Sequence, residues 1–208
     1  MLKKIIQVGS CNGFDGVWEM IKNNTFESIL IEPNPRSMDV LKKNYAEITN
    51  IHYENIAIST VKGKKCLFID NYDSDKYNAG VGVTPHASFD INFQYAHLHG
   101  MGRDEITALD VECYTISDII KKYHWENDEI DYLFIDTEGH DCDIILATDF
   151  SKFKIKCIKF ETTHADGPFT KGQKLQNTIN HLLGQGYNTV KFSTYDMIFA
   201  RDYKIYDL

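Results

Sequence analysis

Short apolar runs alternate along this chain with stretches in which apolar residues recur every three to four positions, the signatures of buried strands and of amphipathic helices. Lys4 to Val8 reads as a strand, Val17 to Asn23 as a helix, Ser28 to Glu32 as a strand, Ser37 to Tyr45 as a helix and Ile51 to Ser59 as a strand. That order predicts a right-handed βαβαβ half with parallel strands. Lys64 to Ile69 and Val111 to Tyr114 read as two further strands, separated by a polar, irregular stretch from Asp70 to Asp110. Alternation then resumes with helix Ile116 to Tyr123, strand Ile130 to Asp136, helix Asp141 to Ala147, strand Cys157 to Glu161 and helix Gln173 to Leu183. Strands Tyr187 to Phe192 and Asp196 to Arg201 close the chain, with only Ser193, Thr194 and Tyr195 between them. So short a connection cannot cross over to a parallel neighbour, so this last pair is expected to be a hairpin. The pattern is that of an α/β protein with a mostly parallel sheet and an antiparallel C-terminal hairpin.

Composition narrows the picture. With 208 residues and 43% apolar content the chain can bury a full three-layer core as one domain, 1–208, carrying an insertion around 70–110. A net charge of −8 without a basic stripe argues against nucleic acid or an anionic membrane as partner and for a small, weakly charged one. Lys152, Lys154, Lys156 and Lys159 do cluster, but their alternation with Phe153 and Ile155 is that of a half-exposed strand approach. Five scattered cysteines lack C-x-x-C spacing and read as reduced core thiols of an intracellular protein. Neither a secretory leader nor an apolar run of membrane-spanning length is visible, and no membrane insertion is expected. The first strand begins almost at Met1, which is compatible with a free-standing protein and with a domain of a larger glycan-modifying polypeptide.

Chemistry enters at Val8-Gly9-Ser10-Cys11-Asn12-Gly13, where the first strand runs into a glycine turn, and at Ile31-Glu32-Pro33-Asn34-Pro35, where the second ends in a carboxylate. A glycine turn lets a ligand approach the backbone, and a carboxylate about 20 positions on can accept both hydrogens of a ribose diol. The spacing of Gly9 and Gly13 is not the G-x-G-x-x-G of dinucleotide sites, and Phe14-Asp15 stands where a P-loop has Lys and then Ser or Thr. No basic residue occurs between Ile5 and Met20, so the loop suits a cofactor with little negative charge, such as the sulfonium S-adenosylmethionine. An NAD-binding oxidoreductase is the alternative enzyme. A non-catalytic cofactor-binding scaffold is the alternative outside enzymes.

A second constellation, Ile135-Asp136-Thr137-Glu138-Gly139-His140-Asp141, places ionisable groups just past a strand's carboxyl end, where open α/β sheets bind their ligands. Together with Val8 to Gly13, Ile31 to Pro35 and Asn55-Ile56-Ala57-Ile58-Ser59, it makes the chain resemble the FkbM family of S-adenosylmethionine-dependent methyltransferases over nearly its whole length. The resemblance implies a class I methyltransferase, a Rossmann-like three-layer sandwich with a mostly parallel seven-stranded sheet. It also implies that Gly9, Ser10, Asn12 and Gly13 line the methionine and ribose portions of the cofactor. Glu32 would hold the ribose diol, Asn55 and Ile56 would flank the adenine, and Asp136 would close the methionine side. Where the family often has an acid that helps hold the cofactor's amino group, this chain has Gln7, which accepts a hydrogen bond without the charge.

Family members mostly methylate hydroxyls of sugars or natural products, which implies an O-methyltransferase acting on a small-molecule or glycan acceptor. A sugar hydroxyl is a poor nucleophile at neutral pH and needs a positioned base or a metal. Asp136, Glu138, His140 and Asp141 are the candidates, with Glu138 or His140 favoured as base. Asp141, and Glu138 with it, also has the simpler reading of complementing a helix dipole. Asp136 and Glu161 at adjacent strand ends, with His164 nearby, form a candidate set for Mg²⁺ or Mn²⁺. The 70–110 segment holds Tyr72, Tyr77, His86, Phe89, Phe93, Tyr95, His97 and His99, a density suited to stacking on a sugar face.

Overall fold

In the computed structural model, which describes residues 2–23, 25–70, 86–97 and 105–202, the main sheet is seven-stranded. Its strands are β1 (Lys3–Val8), β2 (Phe26–Ile31), β3 (Ile51–Glu54), β8 (Glu129–Ile135), β9 (Lys154–Glu161), β10 (Asn188–Phe192) and β11 (Asp196–Ala200), in the order β10-β11-β9-β8-β1-β2-β3. β3, β2, β1, β8 and β9 run parallel, and β11 is antiparallel to both β9 and β10. The terminal hairpin is therefore as its three-residue connection required.

Strand alternation sorts the two faces. Ile6, Val8, Ile29, Ile31, Leu133 and Ile135 face a core shared with α4 (Ile116–Lys122), α5 (Asp141–Leu146) and α6 (Gln173–Gly184). Ile5, Leu30 and Phe134 face α1 (Gly16–Ile21) and α2 (Pro35–Asn44) through Val17, Ile21, Met38 and Leu41. Local chemistry starts each helix where the motifs lie. Asp15 caps α1 by accepting from the backbone N–H groups of Val17 and Trp18. Asn34 caps α2 by accepting from that of Arg36, with Pro35 preset for the first helical position. Thr115 and Asp118 close a capping box on α4.

The expected strand Ile51 to Ser59 is divided. Only Ile51–Glu54 joins the main sheet, while β4 (Ala57–Ile58) belongs to a second, four-stranded sheet with order β4-β7-β5-β6. The break falls at Asn55, whose side-chain amide donates to the carbonyls of Glu32 and Pro33 and bends the chain toward the end of β2. The other strands of this sheet are β5 (Gly63–Asp70), β6 (Ala87–Ser88) and β7 (Ile106–Tyr114). β7 starts earlier than its sequence suggested, because Ile106 to Asp110 gain their order by antiparallel pairing with β5. α3 (Ile91–Ala96) lies in the expected insertion, while Tyr72, Tyr77 and His99 lie outside the described residues. No disulfide joins the cysteines among the described residues; Cys113, Cys142 and Cys157 are buried, but Cys66 is exposed rather than part of the core. No helix among the described residues is long and apolar enough to cross a membrane.

Candidate functional site

Three backbone contacts build the site's floor. After β1 the chain turns at Gly9, whose φ of +79° favours glycine, and a side chain there would meet the carbonyl oxygen of Asp136 at 1.7 Å. The N–H groups of Gly9 and Ser10 both donate to the carbonyl of Ile31, at 2.9 and 3.0 Å, so the loop is tied to the end of β2. The carboxylate of Glu32, 5% exposed, accepts from the backbone N–H groups of Cys11 and Asn34, each at 2.8 Å. Burial pushes the Glu32 carboxyl up to about 7 despite those two hydrogen bonds, which favour the ionised form.

A cavity of about 170 Å³ opens on this floor, with Gly9, Glu32, Asp136, Thr137 and Glu138 on one side and Ala57, Ile58, Leu67 and Phe89 on the other. The second sheet thus supplies an apolar wall facing the carboxyl ends of β1, β2 and β8. Of the residues expected at the cofactor, Gly9, Glu32 and Asp136 line this space. The others stand behind it. Ser10 Oγ donates to the carbonyl of Gln7 and accepts from the N–H of Ile31, Asn12 Oδ1 accepts from the N–H of Phe14, and Asn55 ties down the end of β2. Ile56 packs on the main core. At Gly13, φ +79°, a side chain would run into Leu41 of α2 and Tyr45, the residue that ends it.

Gln7 and Asp136 also line a second cavity, of about 510 Å³, on the α1 side of the main sheet. Gln7 Nε2 donates to Asp15 Oδ2 at 2.5 Å, so a carboxylate absent from position 7 is supplied by the cap of α1. Sequence reading missed Asp15 here because the capping role hides the second one.

Beyond β8 the turn carries Glu138 at φ +55°, a left-handed conformation that a non-glycine residue adopts at a cost of roughly 1–3 kcal/mol and that is concentrated at functional sites. Its backbone is pinned by Ser88 Oγ, which donates to the Glu138 carbonyl at 2.8 Å. Its side of the turn borders both the 170 Å³ cavity and a third one of about 310 Å³, lined among others by Phe89, Phe93, His140, Asp143, His164 and Lys174. His140 is engaged on both ring nitrogens, Nε2 with Ser59 Oγ at 3.2 Å and Nδ1 with Asp143 Oδ2 at 3.2 Å. Asp141 is buried and accepts from Thr137 Oγ1 at 2.9 Å, which holds the turn together.

Four carboxyl groups, Asp136, Glu138, Asp141 and Glu161, lie within mutual electrostatic reach; Asp141 is buried, Glu138 and Glu161 are half-buried, and Asp136 stands exposed just past the end of β8. Desolvation first, and then the negative charge of its neighbours, pushes Glu138 up to about 9 and Glu161 up to about 7, and Asp136 shifts in the same direction. Such a cluster favours a cationic ligand over an anionic one.

The expected metal set of Asp136, Glu161 and His164 is not the one the fold assembles. Among the described residues, the ligand atoms that lie within 4.8 Å of one another belong to Glu138, Glu161 and His164. His164 Nδ1 accepts from the backbone N–H of Phe169 at 3.0 Å, and burial with His97 and His86 nearby lowers its pKa to about 4, so the ring is neutral. With Nδ1 accepting, the ring proton is on Nε2, the nitrogen that faces Glu161 Oε1 at 3.7 Å and that has no lone pair left for a cation. The donor chemistry does not fit Mg²⁺ or Mn²⁺. What His164 does instead is pack: it meets Phe93 edge-on at 4.7 Å, and Phe93 stacks on His97 at 4.0 Å, which sets α3 against the segment after β9.

The model of the methyltransferase FkbM domain matches residues 7–189. No curated protein matches the chain in sequence. Among solved structures, a METTL16 methyltransferase domain superposes with a TM-score of 0.51 at 10% identity, over 97% of this chain and 61% of that one. A second crystal form of that domain gives 0.50 at 9% identity, again over 97% and 61%. An Aeropyrum pernix fibrillarin in complex with natively bound S-adenosyl-L-methionine gives 0.45 at 11% identity, over 95% of this chain and 66% of that one. The chain thus spans about six tenths of the METTL16 chains it matches, and the likeness is one of fold: the strand order and antiparallel C-terminal pair are those of the class I methyltransferases. The family match decides against the oxidoreductase: the chain belongs to the methyltransferase FkbM domain family.

Proposed function

We propose that this protein is an S-adenosylmethionine-dependent methyltransferase acting on a hydroxyl of a carbohydrate acceptor, with Glu138 as the group that takes the hydroxyl proton. The observation that carries this reading is the position of Glu138 on the wall common to the 170 Å³ and 310 Å³ cavities, between the place for a cofactor and the place for an acceptor. S-adenosylmethionine, when bound, supplies an electrophilic methyl group on a positively charged sulfur. Glu32 accepts the ribose hydroxyls, Gly9 lets the ligand lie against the backbone, and Ile58, Leu67 and Phe89 exclude water from it.

On the acceptor side the 310 Å³ cavity combines Phe89 and Phe93 with polar Ser88, His140 and Lys174, a pairing that suits a ring with one apolar face and hydroxyls at its rim. Its carboxylates, Asp90, Asp143 and Asp166, disfavour a polyanionic acceptor such as nucleic acid. Asp166 is held in place by accepting from the N–H groups of Gly172, Lys174 and Leu175, which favour its ionised form. A carboxyl group pushed up to about 9 is a much stronger base, once ionised, than an ordinary carboxylate, which is what a hydroxyl requires. A cation beside Glu138 favours the ionised form. His140, held between Ser59 and Asp143, orients the turn rather than offering a free nitrogen.

Transfer of a labelled methyl group to a panel of mono- and oligosaccharides, with the product linkage read by NMR, tests the proposal. O-methylated sugar is the expected product; exclusive transfer to nitrogen or carbon nucleophiles would contradict it.

A further inference from the structure

The cavity that holds the ribose-binding carboxylate is too small for a whole cofactor, since a drug-sized ligand occupies a pocket of roughly 300–1,000 Å³ and this one measures about 170 Å³. It adjoins the 510 Å³ cavity at Val8 and Asp136, which line both, so the larger space is the neighbouring one into which the rest of the ligand would have to extend. The floor of that space is one register row across five strands: Gln7, Phe134, Lys159, Ile198 and Lys191. Partners in register point to the same face, and this row carries a cation, Lys159, for a carboxylate and a neutral acceptor, Gln7, for an ammonium group.

Two side chains in the row are prepared for a ligand. Gln7 is 4% exposed, its amide is oriented by Asp15, and its Oε1 is buried without a hydrogen-bond partner among the described residues. An unsatisfied buried acceptor costs about 1–3 kcal/mol, which a donor on the ligand recovers. Lys159 pairs with Asp196 at 3.2 Å, with both side chains about one third exposed at the cavity. That contact occupies one of the three ammonium hydrogens and leaves the others for a second acceptor.

We propose that Lys159, steadied by Asp196, receives the α-carboxylate at the amino-acid end of the cofactor, across from Gln7, whose position the family resemblance already assigns to the α-ammonium. The proposal rests on the placement of S-adenosylmethionine in the smaller cavity. Reach selects Lys159 over Lys191. At a strand spacing of about 4.8 Å, Lys159 stands two strands from Gln7, roughly 10 Å, whereas Lys191 stands four strands away, roughly 19 Å. Only the first separation is closed by two side chains and one amino acid.

Calorimetric titration of the full chain with S-adenosylhomocysteine, its decarboxylated primary-amine analogue and 5′-methylthioadenosine tests this. The wild type is expected to prefer S-adenosylhomocysteine over the decarboxylated analogue by about tenfold or more, the worth of a charge-assisted contact. Lys159→Met should bring that ratio to within about twofold while leaving the other two affinities unchanged; Lys159→Arg, which keeps the charge, and Lys191→Met should preserve it. Retention of 5′-methylthioadenosine binding by Lys159→Met shows that the variant is folded. The proposal is overturned if Lys159→Met keeps the preference, if Lys191→Met removes it, or if the wild type binds S-adenosylhomocysteine and its analogue alike. Failure of all three ligands to bind the wild type would remove the cofactor placement itself, a result distinct from the loss of the Lys159 contact alone.

Discussion

The side-chain amide of Gln7 donates to the carboxylate of Asp15 at 2.5 Å, which joins the end of β1 to the cap of α1 and puts a negative charge beside the place where the chain lacks one of its own. Gln7→Glu would set a buried carboxylate against the exposed one of Asp15. We expect that substitution alone to destabilise the protein by roughly 1–3 kcal/mol, and the pair Gln7→Glu with Asp15→Asn to recover most of the loss. Thermal unfolding of the four proteins in the double-mutant cycle measures the coupling; additive effects would show that the contact has no energetic weight.

Gly9 and Gly16 separate steric need from simple turn preference. A side chain on Gly9 meets a backbone oxygen at 1.7 Å in a left-handed conformation, and neither can shift without moving β8. At Gly16, the first residue of α1, nothing lies within 4 Å of the added carbon. Gly9→Ala is expected to cost about 2–4 kcal/mol and the cofactor site with it, whereas Gly16→Ala should be neutral or stabilising by about 0.4–1 kcal/mol. Urea unfolding midpoints of the two variants decide it; equal effects would contradict the assigned packing.

How much of this was readable follows from how each part is made. The cofactor floor is contiguous sequence, in which Gly9, Glu32, Asn34 and Pro35 each show their backbone duty in their residue type. The facing wall is not. Ala57, Ile58 and Leu67 reach it through a second sheet whose longest strand opens with Ile106-Thr107-Ala108-Leu109-Asp110, a weak strand pattern ordered by pairing with β5. Lys159 looked like one member of a half-exposed strand approach, because nothing local says that its row crosses to Gln7. His164 looked like a metal ligand because its tautomer is set by a backbone N–H at Phe169, which no side-chain pattern announces.

From that tautomer we expect methyl transfer to be indifferent to divalent cations. Activity after exhaustive chelation should match that of the untreated protein, and Mg²⁺ or Mn²⁺ should leave the melting temperature unchanged, because ligation would first have to break the Phe169 contact. Loss of activity on chelation, restored by either ion, would refute the reading of His164.

Glu138 also ties stability to pH. Its folded pKa, about 9, stands above the unfolded value of 4.5, so between these limits the folded state binds more protons and this residue's contribution is lost as pH rises through about 9. The slope approaches 1.4 kcal/mol per pH unit for one such group. Replacing it by Gln removes the titration. The melting temperature of Glu138→Gln relative to the wild type should therefore rise steadily from pH 5 to pH 9 in the ligand-free protein; a difference independent of pH would mean that Glu138 is ionised throughout.

The most direct test of Glu138 at the junction of the two cavities is a paired measurement on Glu138→Gln: the affinity for S-adenosylhomocysteine and the single-turnover rate of methyl transfer to a sugar that the wild type accepts. A positioned base contributes about 10²–10⁴ in rate. The expected result is a loss of that size with the affinity within a few-fold of wild type. A variant that binds as well and transfers as fast would contradict the assignment of Glu138 as the base.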